Sequence, residues 1–171
     1  IPAGLIKRID ISKALEAPGV QLVFTGENIP GPNLIGILPP FDQTLLAKDR
    51  VRYAGESVAF VVAETKNQAK DAASQVMMDV EPTRPVLTLD EALDPESPKI
   101  HPDGNVTFSR NLIKGDVDLG FAEADVIVEG VYETSYQEHA YIEPEVVCVV
   151  PGGYGRITVY ASCQSPFHLR G

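Results

Sequence analysis

Cysteine is scarce: the 171 residues hold two, Cys148 and Cys163, too few for a disulfide framework. Positive charge is scarce as well. Lys and Arg total 14 against 24 Asp and Glu, a formal net charge of −10, and that excludes nucleic acid as a partner, because a phosphate backbone needs a Lys/Arg-rich face. Long apolar runs are missing. No window approaches the roughly 20 apolar residues of a membrane helix, and no basic stretch followed by an apolar run marks a signal peptide. These absences predict a cytoplasmic protein without a membrane partner, with both cysteines reduced. Both sit in apolar, strand-like segments and are expected to be buried thiols acting as small hydrophobes. Phosphate loops of the GxxxxGK[ST] or GxGxxG type are absent, and so is the GxSxG elbow of a serine nucleophile. The glycines of "GPNLIG" and "PGGYG" are therefore read as turn chemistry.

What remains is ordinary globular material. Hydrophobic residues make up 44% of the chain, enough to bury a core, and the length suits one domain or two small ones. "GLIKRIDISKALEAPGV" predicts a strand through Leu5, Ile6 and Ile9, then a helix capped by Ser12 and running to Leu15, stopped by Pro18-Gly19. Val20 to Phe24 reads as a second strand. "ENIPGPNLIGILPPFD" is loop chemistry, rich in proline and glycine. "DRVRYAGESVAFVVAET" predicts two strands joined through Ala54-Gly55, and its nearly continuous apolar run 57–63 predicts a strand buried on both faces. Thr65 and Gln68 have the spacing of a capping box. Ala69, Ala72, Ala73 and Val76 then form one apolar stripe of a helix, and a strand from Val76 to Val80 completes a β–α–β unit over 57–80.

The segment "EPTRPVLTLDEALDPESPKIHPDGN" crosses a surface rather than packing as a core. It places a boundary near Leu93, between a first domain of residues 1–93 and a second of 94–171. Beyond it a strand is predicted at "NVTFSRN", a short helix near 116–122, and a long strand from Val126, Val128 and Val131 onward. A hairpin follows, 146–150 with 156–161, about the Gly-rich turn "PGGYG". The chain starts without methionine at "IPAGLIKRID" and stops at "SPFHLRG", which reads as a helix opening. Both ends are expected to be cuts in a longer polypeptide.

Two polar clusters carry the chemistry. "SYQEHAYIEPE", residues 135–145, gathers His139 with Glu138, Glu143 and Glu145. It lacks the second nearby histidine and the spacing of a metal-binding helix. His139 is then a strand-end or core histidine with its ring nitrogens bonded to backbone, or a residue lining a cofactor or substrate cavity. "CQSPFHLR", residues 163–170, is a strand end running into a helix, with Ser165 as cap and Pro166 in the first turn. Such a junction presents free backbone N–H groups, suited to an anion or oxo group, and Gln164 adds a neutral amide donor. An ordinary strand-to-helix connection is the plain alternative.

Read together, these stretches resemble the molybdenum hydroxylases, the xanthine dehydrogenase and aldehyde oxidase family. "RVRYAGESVAFVVAETKNQAKDAASQVMMDVEPTRPVLTLDEAL" is similar to their α/β hammerhead domain, with "YAGESVAFVVAET" as its most specific part. "IKRIDISKALEAPGVQLVFTGENIPGPNLIG" is similar to the upstream part of that domain. "GDVDLGFAEADVIVEGVYETSYQEHAYIEPEVVCVV" and "SCQSPFHLR" are similar to the start of the molybdopterin-binding region. The resemblance implies an α+β fold: a hammerhead domain followed by the strand-rich beginning of a truncated molybdopterin-binding domain. It implies hydroxylation of an N-heterocycle or aldehyde with oxygen from water, at a molybdenum–molybdopterin cofactor. Electrons would leave through iron–sulfur clusters and FAD on other domains or subunits, which with the rest of the molybdopterin-binding chain would be its partners. Gln164 aligns with the family glutamine whose amide lies against the molybdenum oxo ligand. Phe167 stands where a bulky residue borders the cofactor, and His139 and Glu143 hold the corner and border the cavity. The family's glycine-rich cofactor loop and glutamate base have no counterpart in these residues, and two scattered cysteines cannot hold an iron–sulfur cluster. The 171 residues alone are accordingly expected to be inactive. A non-catalytic interaction or scaffold module that keeps the hammerhead shape is the competing expectation.

Overall fold

The computed structural model describes residues 1–36 and 41–167. The chain divides into two compact units, Ile1–Arg110 and Asn111–Gly171.

The first unit is a set of small antiparallel sheets, one of which carries two helices. Strand β1 (Gly4–Asp10) leads into helix α1 (Ser12–Leu15) and strand β2 (Val20–Thr25). The proline-rich stretch holds only a 3-10 turn (Gly26–Asn28) and two short strands, β3 (Leu34–Ile35) and β4 (Gln43–Thr44), paired with each other. Then come β5 (Arg50–Val51), β6 (Ala59–Ala63), α2 (Lys66–Ala73), β7 (Met77–Pro82) and α3 (Leu89–Leu93). β1 is the centre of a three-stranded sheet between β5 and β7, and β2 pairs with β6, all antiparallel. α1 and α2 pack on the β2–β6 pair around Ala14, Val23 and Ala72, with Val61 and Val76 beside them. Ala14 and Ala72 are wholly buried; a methyl side chain at each lets helix and sheet approach closely.

Several expectations need correction. β6 and β7 flank α2 as predicted, but they pair in different sheets, so 57–80 is not a parallel β–α–β unit. The strands on either side of Ala54-Gly55 likewise belong to separate sheets. β6 is covered on one face only: Val61 meets the core, while Phe60 remains 59% exposed on the other. Ser12 is the first helical residue rather than the cap. Asp10 takes the capping role, its carboxylate accepting from both the Ser12 backbone N–H (3.0 Å) and the Ser12 hydroxyl. Thr65 does cap α2, accepting from Gln68 N–H (3.3 Å), but the return bond joins the two side chains (2.8 Å) instead of reaching the Thr65 backbone. A reciprocal cap forms elsewhere, at Thr25 and Asn28. Within the apolar stripe of α2, Ala73 is exposed.

Residues 94–110 fold back on the first unit. Asn105 closes a loop by accepting from Ile100 N–H (2.8 Å) and donating to Pro98 O (3.1 Å), and Arg50 Nη1 donates to Lys99 O (3.3 Å). The compact unit therefore extends past Leu93 to Arg110.

The second unit holds helix α4 (Val117–Ala122), capped by Asp116 accepting from Leu119 N–H at 3.0 Å, and the hairpin β8 (Val147–Pro151) and β9 (Ile157–Ala161). Its turn passes through the left-handed region at Tyr154 (φ 60°) and Gly155 (φ 72°). The strands predicted at "NVTFSRN" and from Val126 onward are not formed. No described segment pairs with them, and Val128 and Val131 are 84% and 90% exposed. Alternating apolar residues create a strand only where an edge accepts their hydrogen bonds.

Candidate functional site

The hairpin positions the site. β8 and β9 run in strict register, Val147 opposite Ala161 and Pro151 opposite Ile157. One step past the last strand pair, Ser162 N–H donates to Val146 O at 3.3 Å, continuing the ladder. The two ends of the hairpin thus lie side by side. One end continues back into the corner 138–145, and the other runs on into Cys163, Gln164 and Ser165.

The corner is built by its own side chains. Glu138 Oε1 accepts from His139 N–H (3.0 Å) and Ala140 N–H (3.4 Å). Ala140 adopts a left-handed φ of 52°, unusual for a residue with a Cβ. The His139 ring stacks on Tyr141, with centroids 5.6 Å apart and planes 9° from parallel. His139, read from the sequence as a strand-end or core histidine or as one lining a cavity, is exposed and stacked, and its ring enters no hydrogen bond among the described residues. Further along, Glu143 Oε1 accepts from the Ser162 hydroxyl at 3.0 Å, joining the corner to the far end of β9.

Beyond Ser162 the chain turns tightly, with Ser165 N–H donating to Cys163 Sγ at 3.3 Å. Gln164 is the residue spanned by that turn; it is exposed, and its amide enters none of the hydrogen bonds among the described residues. Pro166 and Phe167 take helical geometry, and Phe167 is 83% exposed. Ser165 thus precedes the first helical residue and Pro166 occupies it, as the sequence predicts.

The structure brings Glu143 to Ser162 and so next to the Gln164 connection. Among the described residues no hydrogen bond joins the side chain of His139 or Glu143 to that of Gln164. Both cysteines, expected buried, are exposed free thiols, because among the described residues of its unit no layer covers either face of the two-stranded hairpin. Ser162 is a structural member of the site that sequence reading passed over, and Glu138, named there only as part of the polar cluster, is another whose backbone-binding role it missed. An acid directly before the corner was a signal for Glu138. Ser162 gave none, because its partner lies 19 residues away.

The chemistry of these groups is neutral donation. No Lys or Arg occurs between Lys114 and Arg156, and no group of three or more His, Cys, Asp or Glu is placed for a metal ion among the described residues. An anionic or oxo-bearing group at the Cys163–Phe167 connection would meet the Gln164 amide, the Ser165 hydroxyl and backbone N–H groups such as that of Gln164, a set that binds oxygen acceptors without forming ion pairs. A pterin-borne oxo-metal group held by other parts of a protein fits that donor set.

Comparison with known proteins places both units. Residues 1–84 match the family model described as aldehyde oxidase and xanthine dehydrogenase, a/b hammerhead domain, and residues 100–171 match the molybdopterin cofactor-binding domain. The chain is 34% identical over 171 residues to the nicotinate dehydrogenase large molybdopterin subunit of Eubacterium barkeri, covering all of this chain and 40% of that one. It is 40% identical over 170 residues to aldehyde oxidase 1 of Bos taurus, covering 96% of this chain and 12% of that one. Among solved structures it is similar to the aldehyde oxidoreductase of Desulfovibrio desulfuricans, with a TM-score of 0.82 and 29% identity over 94% of this chain and 19% of that one. The chain therefore spans less than half the length of these relatives.

Proposed function

We propose, for a chain that belongs to the aldehyde oxidase and xanthine dehydrogenase family of molybdenum hydroxylases, that it serves the hydroxylation of an N-heterocycle or aldehyde with oxygen from water. The whole protein would be a longer molybdopterin-binding polypeptide with iron–sulfur and flavin domains or subunits as electron-transfer partners, working in the cytoplasm. A hammerhead domain over 1–93 and a molybdopterin-binding part over 94–171 would divide the chain in the interval between the two matched spans, 84 to 100, with residues 94–110 packed back on the first unit.

The observation that carries the reading is the Gln164 connection: an exposed amide without a described hydrogen-bond partner, between a strand end and a helical first turn, within the region matched to molybdopterin binding. When bound, the molybdenum cofactor supplies the oxidation chemistry. This chain's own part is to place a neutral donor. Gln164 donates from its Nε2 to an oxo group and orients it without adding charge. Phe167 borders the same space and excludes water. His139 and Glu143 hold the corner that leads the chain there.

The test is molybdenum analysis and turnover of the whole protein from its native source, beside its Gln164→Ala variant. About one molybdenum per chain is expected, with turnover reduced about 10- to 100-fold by loss of the donor and folding unchanged. The 171-residue chain by itself is expected to show no substrate-dependent dye reduction. No molybdenum, in protein from cells that make the cofactor, would favour the scaffold reading, and an unaffected Gln164→Ala variant would reduce Gln164 to a strand-end residue.

A further inference from the structure

We infer that Glu143 and Ser162 form a positioning pair for the Gln164 amide, an inference that rests on the function proposed above. Gln164 sits in a turn that starts from one fixed point and is closed by a bond of its own. On its N-terminal side, Ser162 is held twice: its backbone N–H by Val146 O at 3.3 Å, its hydroxyl by Glu143 Oε1 at 3.0 Å. On its C-terminal side, Ser165 N–H is held by Cys163 Sγ at 3.3 Å. The main chain at Gln164 is therefore anchored through Ser162 and shaped by the turn that Ser165 and Cys163 close, while its side chain enters no hydrogen bond among the described residues.

The backbone bond at Ser162 alone would only extend the hairpin by one step, as at any strand end. The side-chain bond does something further. It crosses from the end of β9 to a carboxylate in the corner 138–145, and so couples the direction in which the chain leaves the hairpin to the shape of the corner. Glu143 has two carboxylate oxygens and this described bond uses one. The acceptor is charged, and a hydroxyl-to-carboxylate bond is stronger than a neutral one. A donor amide on a tether with several rotatable bonds is useful to a reacting group only when its backbone is fixed. A misplacement of about 1 Å remote from the chemistry can cost on the order of 100-fold in rate. Glu143 and Ser162 act through Gln164, without touching the reacting atoms.

The experiment uses the whole, cofactor-loaded protein with Ser162→Ala, Glu143→Ala, Glu143→Gln, Gln164→Ala, and the double variant Ser162→Ala/Gln164→Ala. Three quantities are read: kcat and KM, the electron paramagnetic resonance signal of the reduced molybdenum centre, and deuterium exchange of residues 162–165. Ser162→Ala and Glu143→Ala are expected to lower kcat about tenfold, alter the resonance signal and speed exchange at 162–165. Glu143→Gln, which keeps an oxygen acceptor, recovers most of the loss. The double variant is expected to be no worse than Gln164→Ala alone, because the pair acts only through that amide. Losses that multiply in the double variant, or a resonance signal unmoved by Ser162→Ala, overturn the positioning role while leaving Gln164 in place. If Gln164→Ala itself changes neither kcat nor the signal, the proposed function of Gln164 falls, and the pair with it. Where Glu143→Ala fails to take up molybdenum, Ser162→Ala removes the same bond at the cost of one oxygen atom and carries the test.

Discussion

Asn33 is a local test of how the first unit is held together. Its side chain spans 13 residues to clasp the backbone of Leu46, with Nδ2 donating to Leu46 O at 2.7 Å and Oδ1 accepting from Leu46 N–H at 3.0 Å. Leu46 is 4% exposed, so both backbone groups lie where water does not readily replace the lost partner. Asn33→Ala removes both bonds. Hydrogen bonds contribute about 1 kcal/mol net each, and a buried polar group left unpaired costs about 1–3 kcal/mol, which sets the expected loss at about 2–4 kcal/mol. With a urea slope of about 2 kcal/mol/M, the midpoint moves down by about 1–2 M. Amide exchange separates global from local loss. If the clasp opens without unfolding the unit, the Leu46 N–H exchanges about 30- to 700-fold faster, at about 1.4 kcal/mol per tenfold, while the β1–β7 amides do not change. A midpoint shift below about 0.3 M at unchanged slope, together with unchanged Leu46 exchange, would refute the reasoning and show the clasp to be incidental.

Gly19 has φ 78°, and a Cβ there would collide with the Gln68 side chain. Gly19→Ala is expected to cost about 1–2 kcal/mol, read as a lowered urea midpoint; an unchanged midpoint would mean that the α1–β2 turn relaxes freely. Acid acts on the same unit. Hydrogen bonds from Ser12, the Lys7 ammonium and the Leu87 backbone N–H hold Asp10, Glu81 and Glu91 respectively below the usual carboxylate range. A carboxylate depressed by folding contributes stability above its unfolded value and loses it as pH falls through the folded one. The midpoint should therefore decline below about pH 4, and Asp10→Asn should flatten that decline; an equally steep acid limb in the variant argues against the capping role of Asp10. Lys48, raised by its bond to Glu27, works in the opposite sense, its contribution present below the unfolded value and lost as pH rises through the folded one.

Local signals were legible and pairing was not. β1, β2, α2 and the β8–β9 hairpin each follow from a short pattern with its own turn or cap, such as Pro18-Gly19 or "PGGYG". The apolar run of β6 said that the strand would be covered, but apolarity does not say by what. One face meets Ala14 and Ala72, and Phe60 on the other is left open. Caps are equally ambiguous: Ser12 has the right chemistry, yet Asp10, two residues earlier, accepts from both the N–H and the hydroxyl of Ser12, so Ser12 enters the helix as its first residue. The cysteines were misplaced for a similar reason, since a strand pattern fixes which residues share a face and leaves open whether that face has a neighbour.

The stretch from Val126 to the corner at 138–145 makes the same point for the site. Its valines alternate as a strand demands, but a strand is a contract between two backbones, and among the described residues only Val146, just past its far end, finds a partner, in Ser162. That single rung is where the sequence's two polar clusters meet. Spacing along the chain gave Gln164 and Glu143 as separate suggestions, 21 residues apart in the numbering of one sequence. The hairpin folds that separation away, and Ser162, unremarkable by itself, becomes the group that touches one and precedes the other. A residue whose function is a relation between distant neighbours leaves no local trace. It becomes visible only when the register of β8 on β9 is known, because shifting that register by one residue would turn the Ser162 hydroxyl to the opposite face and away from Glu143.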